Sequence, residues 1–159
     1  MLYLDSSALV KRYYDEVGSD SLNKRLQVET DKARPIFTSV LTYAEVHSSV
    51  ARRTREKLLL PSEAAAVHDK FDTDWVLGFT PIALDLGVLG FIRDVFKAHP
   101  LKSADAVHLA SALWLRDAAR LSGRFVQRGE PFIFASSDRQ LTTAAEKYNL
   151  EIFDPETMK

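Results

Sequence analysis

Five short apolar runs punctuate the chain: "LYL" at 2–4, "PIF" at 35–37, "FTPIAL" at 79–84, "PFIFA" at 131–135 and "EIF" at 151–153. Longer stretches with helical spacing separate them, and this alternation limits the available folds more than any other feature. Parallel strands need a long crossover, usually a helix, and helices on both faces bury the sheet completely. The reading is therefore α/β: three layers, with helices on either side of a central, mostly parallel sheet of four to five strands. Pro81 cannot donate to a ladder, so 79–84 is expected at an edge.

The helices are placed by their caps and periodicity. Ser6 is positioned to cap a helix starting near Ser7. Gly18 marks a turn and Ser19 a cap, ahead of Leu22 and Leu26 at i, i+4 spacing. Further helices are expected from Ser39 or Leu41 to Arg53, from Pro61-Ser62 through Leu77, and from the Asp85 cap to about Ala98. The strongest is "SADAVHLASALWLRDAAR", in which Ala106 to Leu115 carries no charged residue. A helix apolar almost all round is a buried helix. "DRQLTTAAEKY" is the last, and 121–130 reads as a loop or insertion.

A chain of 159 residues without a Pro/Gly/Ser linker is expected to form one domain, 1–159. It has no cysteine, which excludes disulfides, thiolate catalysis and Cys-ligated zinc. No apolar stretch has the length of a signal peptide or a bilayer span, so a cytoplasmic protein is expected. The net charge of −1 gives no global attraction to nucleic acid. Any such contact must come from local patches: Lys11-Arg12, "RRTREK" with Arg52 and Arg53, or Arg124 with Arg128. Each of these is equally explained as solvated surface.

Asp5 follows the first strand directly, and Asp138 follows "FIFASS" in a similar place. Ligand sites in parallel sheets lie outside the carboxyl ends of the strands. Glu45 sits about two turns into the helix after the second strand, among small and apolar neighbours, and Asp105 opens the charge-free helix. Taken singly, Asp105 and Asp138 are ordinary helix-start acids, Asp5 a turn residue and Glu45 a surface residue. Taken together, four converging carboxylates repel one another and lose solvation unless a cation holds them. Oxygen ligands suit a hard divalent ion, Mg²⁺ or Mn²⁺, and such ions activate water and clamp phosphodiester oxygens.

Four blocks resemble the PIN domain, and within it the VapC-type toxins of toxin–antitoxin pairs. They are "LYLDSSALVKRY", "TSVLTYAEVHSSVARR", "SADAVHLASAL" and "ASSDRQL", in order and covering nearly the whole chain. The resemblance implies a Mg²⁺- or Mn²⁺-dependent endoribonuclease acting on RNA (tRNA, rRNA or mRNA), a cognate VapB-type antitoxin and a homodimer. Asp5, Glu45, Asp105 and Asp138 take the catalytic and metal-binding positions, with Ser6 and Ser136 supporting them. Arg12 or Arg52 and Arg53 are candidates for RNA phosphates.

His108 reads as a packed core histidine, and His47, His68 and His99 have no ligand spacing. Trp75 and Trp114 read as core or interface. The apolar helices near 41–50 and 86–96 suit either burial or a partner surface. Two rival chemistries are weaker. A dehalogenase-type phosphatase would want a second Asp at position 7, which is Ser7, and a receiver domain would want paired early acids. A non-catalytic PIN-like binding module is the remaining alternative, and the intact acids argue against it.

Overall fold

The computed structural model describes residues 1–123 and 131–157. Five strands form one sheet: β1 (Leu2–Leu4), β2 (Ile36–Ser39), β3 (Phe79–Ile82), β4 (Ile133–Ala135) and β5 (Glu151–Phe153). All are parallel, in the order β3-β2-β1-β4-β5. Pro81 lies on edge strand β3, where its missing N–H costs no ladder bond.

Seven helices cover the sheet: α1 (Ser6–Leu9), α2 (Ser19–Asp31), α3 (Leu41–Arg55), α4 (Pro61–Leu77), α5 (Leu86–Ala98), α6 (Ser103–Ser122) and α7 (Arg139–Glu146). A short 3-10 turn, Val10–Arg12, extends α1. Alternation along each strand splits the core into two layers. Tyr3, Phe37 and Phe134 face α5, α6 and α7, whereas Leu2, Leu4, Ile36, Ile133 and Ala135 face α1 to α4. The three-layer architecture is thus observed, with a wholly parallel sheet.

Helix α6 owes its position to its composition: nine of its residues are buried. Trp114 on α6 packs so closely against Gly87 that an added Cβ there would stand 2.3 Å from its Nε1. Trp75 packs on Phe71 and Tyr43, so both tryptophans serve the core. The segment 121–130 begins as the end of α6 and a left-handed cap at Gly123, and 124–130 lies outside the described residues.

Two caps differ from expectation. Asp5, not Ser6, caps α1, accepting from the Ala8 N–H at 2.9 Å. Gly18, not Ser19, caps α2 with a positive φ of 92°, a conformation open to glycine. The Ser19 hydroxyl instead donates to the Tyr14 carbonyl at 2.7 Å. Among the described residues no helix is long and apolar enough to cross a membrane.

Candidate active site

The strand order reverses between β1 and β4, so the connections leave the sheet in opposite directions there and open a crevice at the carboxyl ends. Asp5 and Ser136 stand at this switch point. The backbone N–H of Asp5 donates to the Ala135 carbonyl at 3.0 Å, which seats the carboxylate at the strand end. Asp5 is almost fully buried, yet three groups donate to it. These are the Ala8 N–H at 2.9 Å, the Ser136 hydroxyl at 2.9 Å and the Ser7 hydroxyl, shared between both oxygens at 2.9 and 3.0 Å.

Ser7 therefore takes the supporting position expected of Ser6, and Ser6 turns to an adjoining groove. Direction along a one-turn helix decides which hydroxyl reaches back, and sequence adjacency does not reveal it. The Ser137 N–H donates to Ser7 Oγ at 2.9 Å, tying the two strand ends together.

Burial pushes the Asp5 carboxyl above the usual range, opposed by His108 and by the donors from Ala8, Ser7 and Ser136. Asp105, in the first turn of α6, is likewise raised, first by burial and then by the negative charges of Asp138 and Glu45. The fold has therefore brought the acids of α3, α6 and β4–α7 within electrostatic reach of one another. Asp138 caps α7 through the Leu141 N–H at 2.9 Å, so the capping role and membership of the cluster hold together.

Glu45 is one quarter exposed on α3, and its Oε2 lies 2.7 Å from His108 Nε2. His108 is buried, as a core histidine should be, but one of its partners is a site acid. Its other nitrogen, Nδ1, is 3.2 Å from the Tyr3 hydroxyl. The sequence signal for this contact was the single ionisable residue in the charge-free stripe of α6.

A groove of about 460 Å³ runs past Glu45 between α1 and α3. Glu45, Ser48, Ser49 and Arg52 line it from successive turns of α3, with Ser6 and Ser7 opposite. Of the three arginines considered for RNA, Arg52 faces this groove. Arg53 pairs with Glu16 at 2.7 Å and lies over the Tyr14 ring. Arg12 pairs with Asp74 at 2.7 Å in a cleft that includes Ile36 and Phe79, the first residues of β2 and β3. That is the opposite end of the sheet. Lys11 is buried against Glu16 and Glu156.

The two arginines should separate in experiment. Arg52→Ala is expected to weaken RNA binding and lower its salt slope by about one. Arg12→Ala should leave RNA affinity unchanged and lower the melting temperature, as read by fluorescence anisotropy and circular dichroism.

Although spacing suggested no relation between them, His47 and His68 meet across α3 and α4, with their Nδ1 atoms 2.6 Å apart. His47 Nε2 also lies 3.1 Å from Asp72 Oδ1. As they stand, no three imidazole or carboxylate groups among the described residues are close enough to ligate one ion. The acid cluster nonetheless suits a hard cation. Its donors are all oxygen, and Asp105 makes no hydrogen bond among the described residues. The buried Ser137 hydroxyl is also without a partner. A Mg²⁺ ion keeps several of its waters, so it asks for only one or two direct carboxylates.

The PIN domain family matches residues 2–149. Ribonuclease VapC45 of Mycobacterium tuberculosis is 37% identical over 117 residues, 74% of this chain and 78% of that protein. Ribonuclease VapC35 of the same species is 30% identical over 158 residues, 98% of this chain and 97% of that protein. Among solved structures, FitAcB from Neisseria gonorrhoeae superposes with a TM-score of 0.66 at 16% identity, covering 99% of this chain and 100% of that one. VapBC2 from Rickettsia felis, bound to a DNA fragment from its promoter, gives 0.65 at 12% identity, with 97% and 98% covered. With a family match spanning nearly its whole length and ribonuclease relatives at 30–37% identity, the chain belongs to the PIN-domain family and, within it, to the VapC ribonucleases.

Proposed function

We propose that this protein is a divalent-metal-dependent endoribonuclease, the toxin of a toxin–antitoxin pair, cutting RNA in the cytoplasm. The observation that supports the reading is the buried Asp5 carboxylate at the strand switch point, held by three donors, together with Asp105 lying within electrostatic reach of Asp138 and Glu45. Burying that much negative charge is unfavourable without a counter-charge. In this reading Asp5, Glu45 and Asp105 hold Mg²⁺ or Mn²⁺, and Asp138 completes the site. A hard divalent ion bound by these residues would supply an activated water and a counter-charge for the phosphodiester.

The rest of the work falls to the chain itself. Ser7 and Ser136 keep the Asp5 oxygens oriented, because both hydroxyls spend their protons on them. Arg52 offers a bidentate contact to a phosphate in the groove, and the Ser48 and Ser49 hydroxyls line the same path. Arg53 and Arg12 are held by carboxylates and contribute to the frame.

Partners follow by similarity. The structural relatives include VapBC2 and FitAB bound to DNA fragments, so an antitoxin of VapB type is the expected companion. Helix α5 leaves Leu86, Leu89 and Phe96 exposed, an apolar face suited to a second copy of the chain in a homodimer.

The test is cleavage of total tRNA and rRNA by antitoxin-free protein. Activity should vanish in EDTA and return with Mg²⁺ or Mn²⁺. Undiminished cutting in EDTA would overturn the metal-dependent reading, and absence of metal binding together with absence of cleavage would favour the binding-module alternative.

A further inference from the structure

His108 is the one buried ionisable side chain at the site to which the reaction assigns no task. It sits in α6 between Ala106, Leu109 and Ala110, all fully buried, where an apolar residue would avoid the cost of desolvating an imidazole. Both ring nitrogens are engaged, and the partners set their direction. An ionised Glu45 can only accept, so His108 Nε2 carries the hydrogen and donates across 2.7 Å. In the neutral ring Nδ1 is then the acceptor, and the Tyr3 hydroxyl donates to it across 3.2 Å. The chain of donors runs one way, from β1 through α6 to α3.

The other acids have their own means of restraint. Asp5 is held by Ser7, Ser136 and the Ala8 N–H, and Asp138 by its cap on α7. Glu45 has three rotatable bonds, and freezing a side chain of that length costs rotamer entropy. Its sole hydrogen bond among the described residues is the one from His108.

We infer that His108 is a positioning residue for Glu45: donation from Nε2 fixes the carboxylate beside the other acids, and Tyr3 fixes the tautomer that permits it. The inference rests on the metal-dependent reading above.

The experiment is Mn²⁺ binding to the intact protein without RNA, measured by calorimetry and by electron paramagnetic resonance, beside unfolding of the metal-free protein. His108→Leu should weaken Mn²⁺ by about 10- to 100-fold, the usual cost of losing a group that orients a ligand. His108→Gln keeps a donor nitrogen at the same number of bonds from Cβ and should stay within about threefold of wild type. With RNA, His108→Leu should lower kcat and leave KM unchanged. A folded His108→Leu protein that binds Mn²⁺ as tightly as wild type would overturn the inference. Should His108→Leu fail to fold, Tyr3→Phe decides: weaker Mn²⁺ supports the inference, unchanged binding overturns it. If wild type itself binds no Mn²⁺, the proposed function fails first, which is a separately readable result.

Discussion

Replacing Asp5 by Asn is expected to lower RNA cleavage by roughly 10³-fold or more, as loss of a group central to catalysis does. The same change should make the metal-free protein more stable. Asparagine caps a helix as well as aspartate, so the bond from the Ala8 N–H survives. What disappears is a buried negative charge whose pKa burial has raised. The sign of the pH dependence follows. A carboxyl with a raised pKa in the folded state holds its proton there longer than in the unfolded chain, so folding is weakened as pH rises above the unfolded value of 3.8. Melting curves of the metal-free wild type should therefore lose part of their stability on the alkaline side of that value, and Asp5→Asn should flatten the loss. Added Mn²⁺ should raise the wild-type midpoint and leave the variant's nearly unmoved. An Asp5→Asn protein that still cuts, or that is less stable than wild type at neutral pH, would contradict this account.

Phe71→Ala carries the largest expected effect on stability, about 3–5 kcal/mol, against a total of about 5–15 kcal/mol for an ordinary domain. Phe71 is fully buried on α4. Its ring meets Tyr13 edge-on with centroids 5.4 Å apart, and also packs against Tyr43, His47 and Trp75. Truncation removes the transfer energy of the ring and leaves a cavity that these rigid aromatics cannot fill. Tyr43 and His47 belong to α3, the helix that also carries Glu45 and Arg52. Loss of activity should therefore accompany the loss of stability, and both are read by denaturant titration alongside the cleavage assay. Phe71→Leu, which keeps most of the volume, should recover much of each.

The sequence determined the layers and the acids. Short apolar strands alternating with helices leave a parallel sheet as the economical way to bury both faces, and Pro81 assigned its strand to an edge. Asp5 and Asp138 were legible because strand ends in such sheets share one rim, and Asp105 because it opens an otherwise charge-free helix.

What spacing could not show were contacts between elements. Ser7 rather than Ser6 reaches Asp5, since the answer depends on the orientation of a single helical turn. Arg12 and Arg52 look alike as basic residues, but the chain carries them to opposite ends of the sheet. His108 was read as core and is core, while its link to Glu45 joins residues 63 apart. Local pattern records which face of an element is apolar. Only the packing of α3 against α1, α4 and β2 decides which polar group on one element meets which on another, because those pairings depend on angles and depths that no single segment encodes.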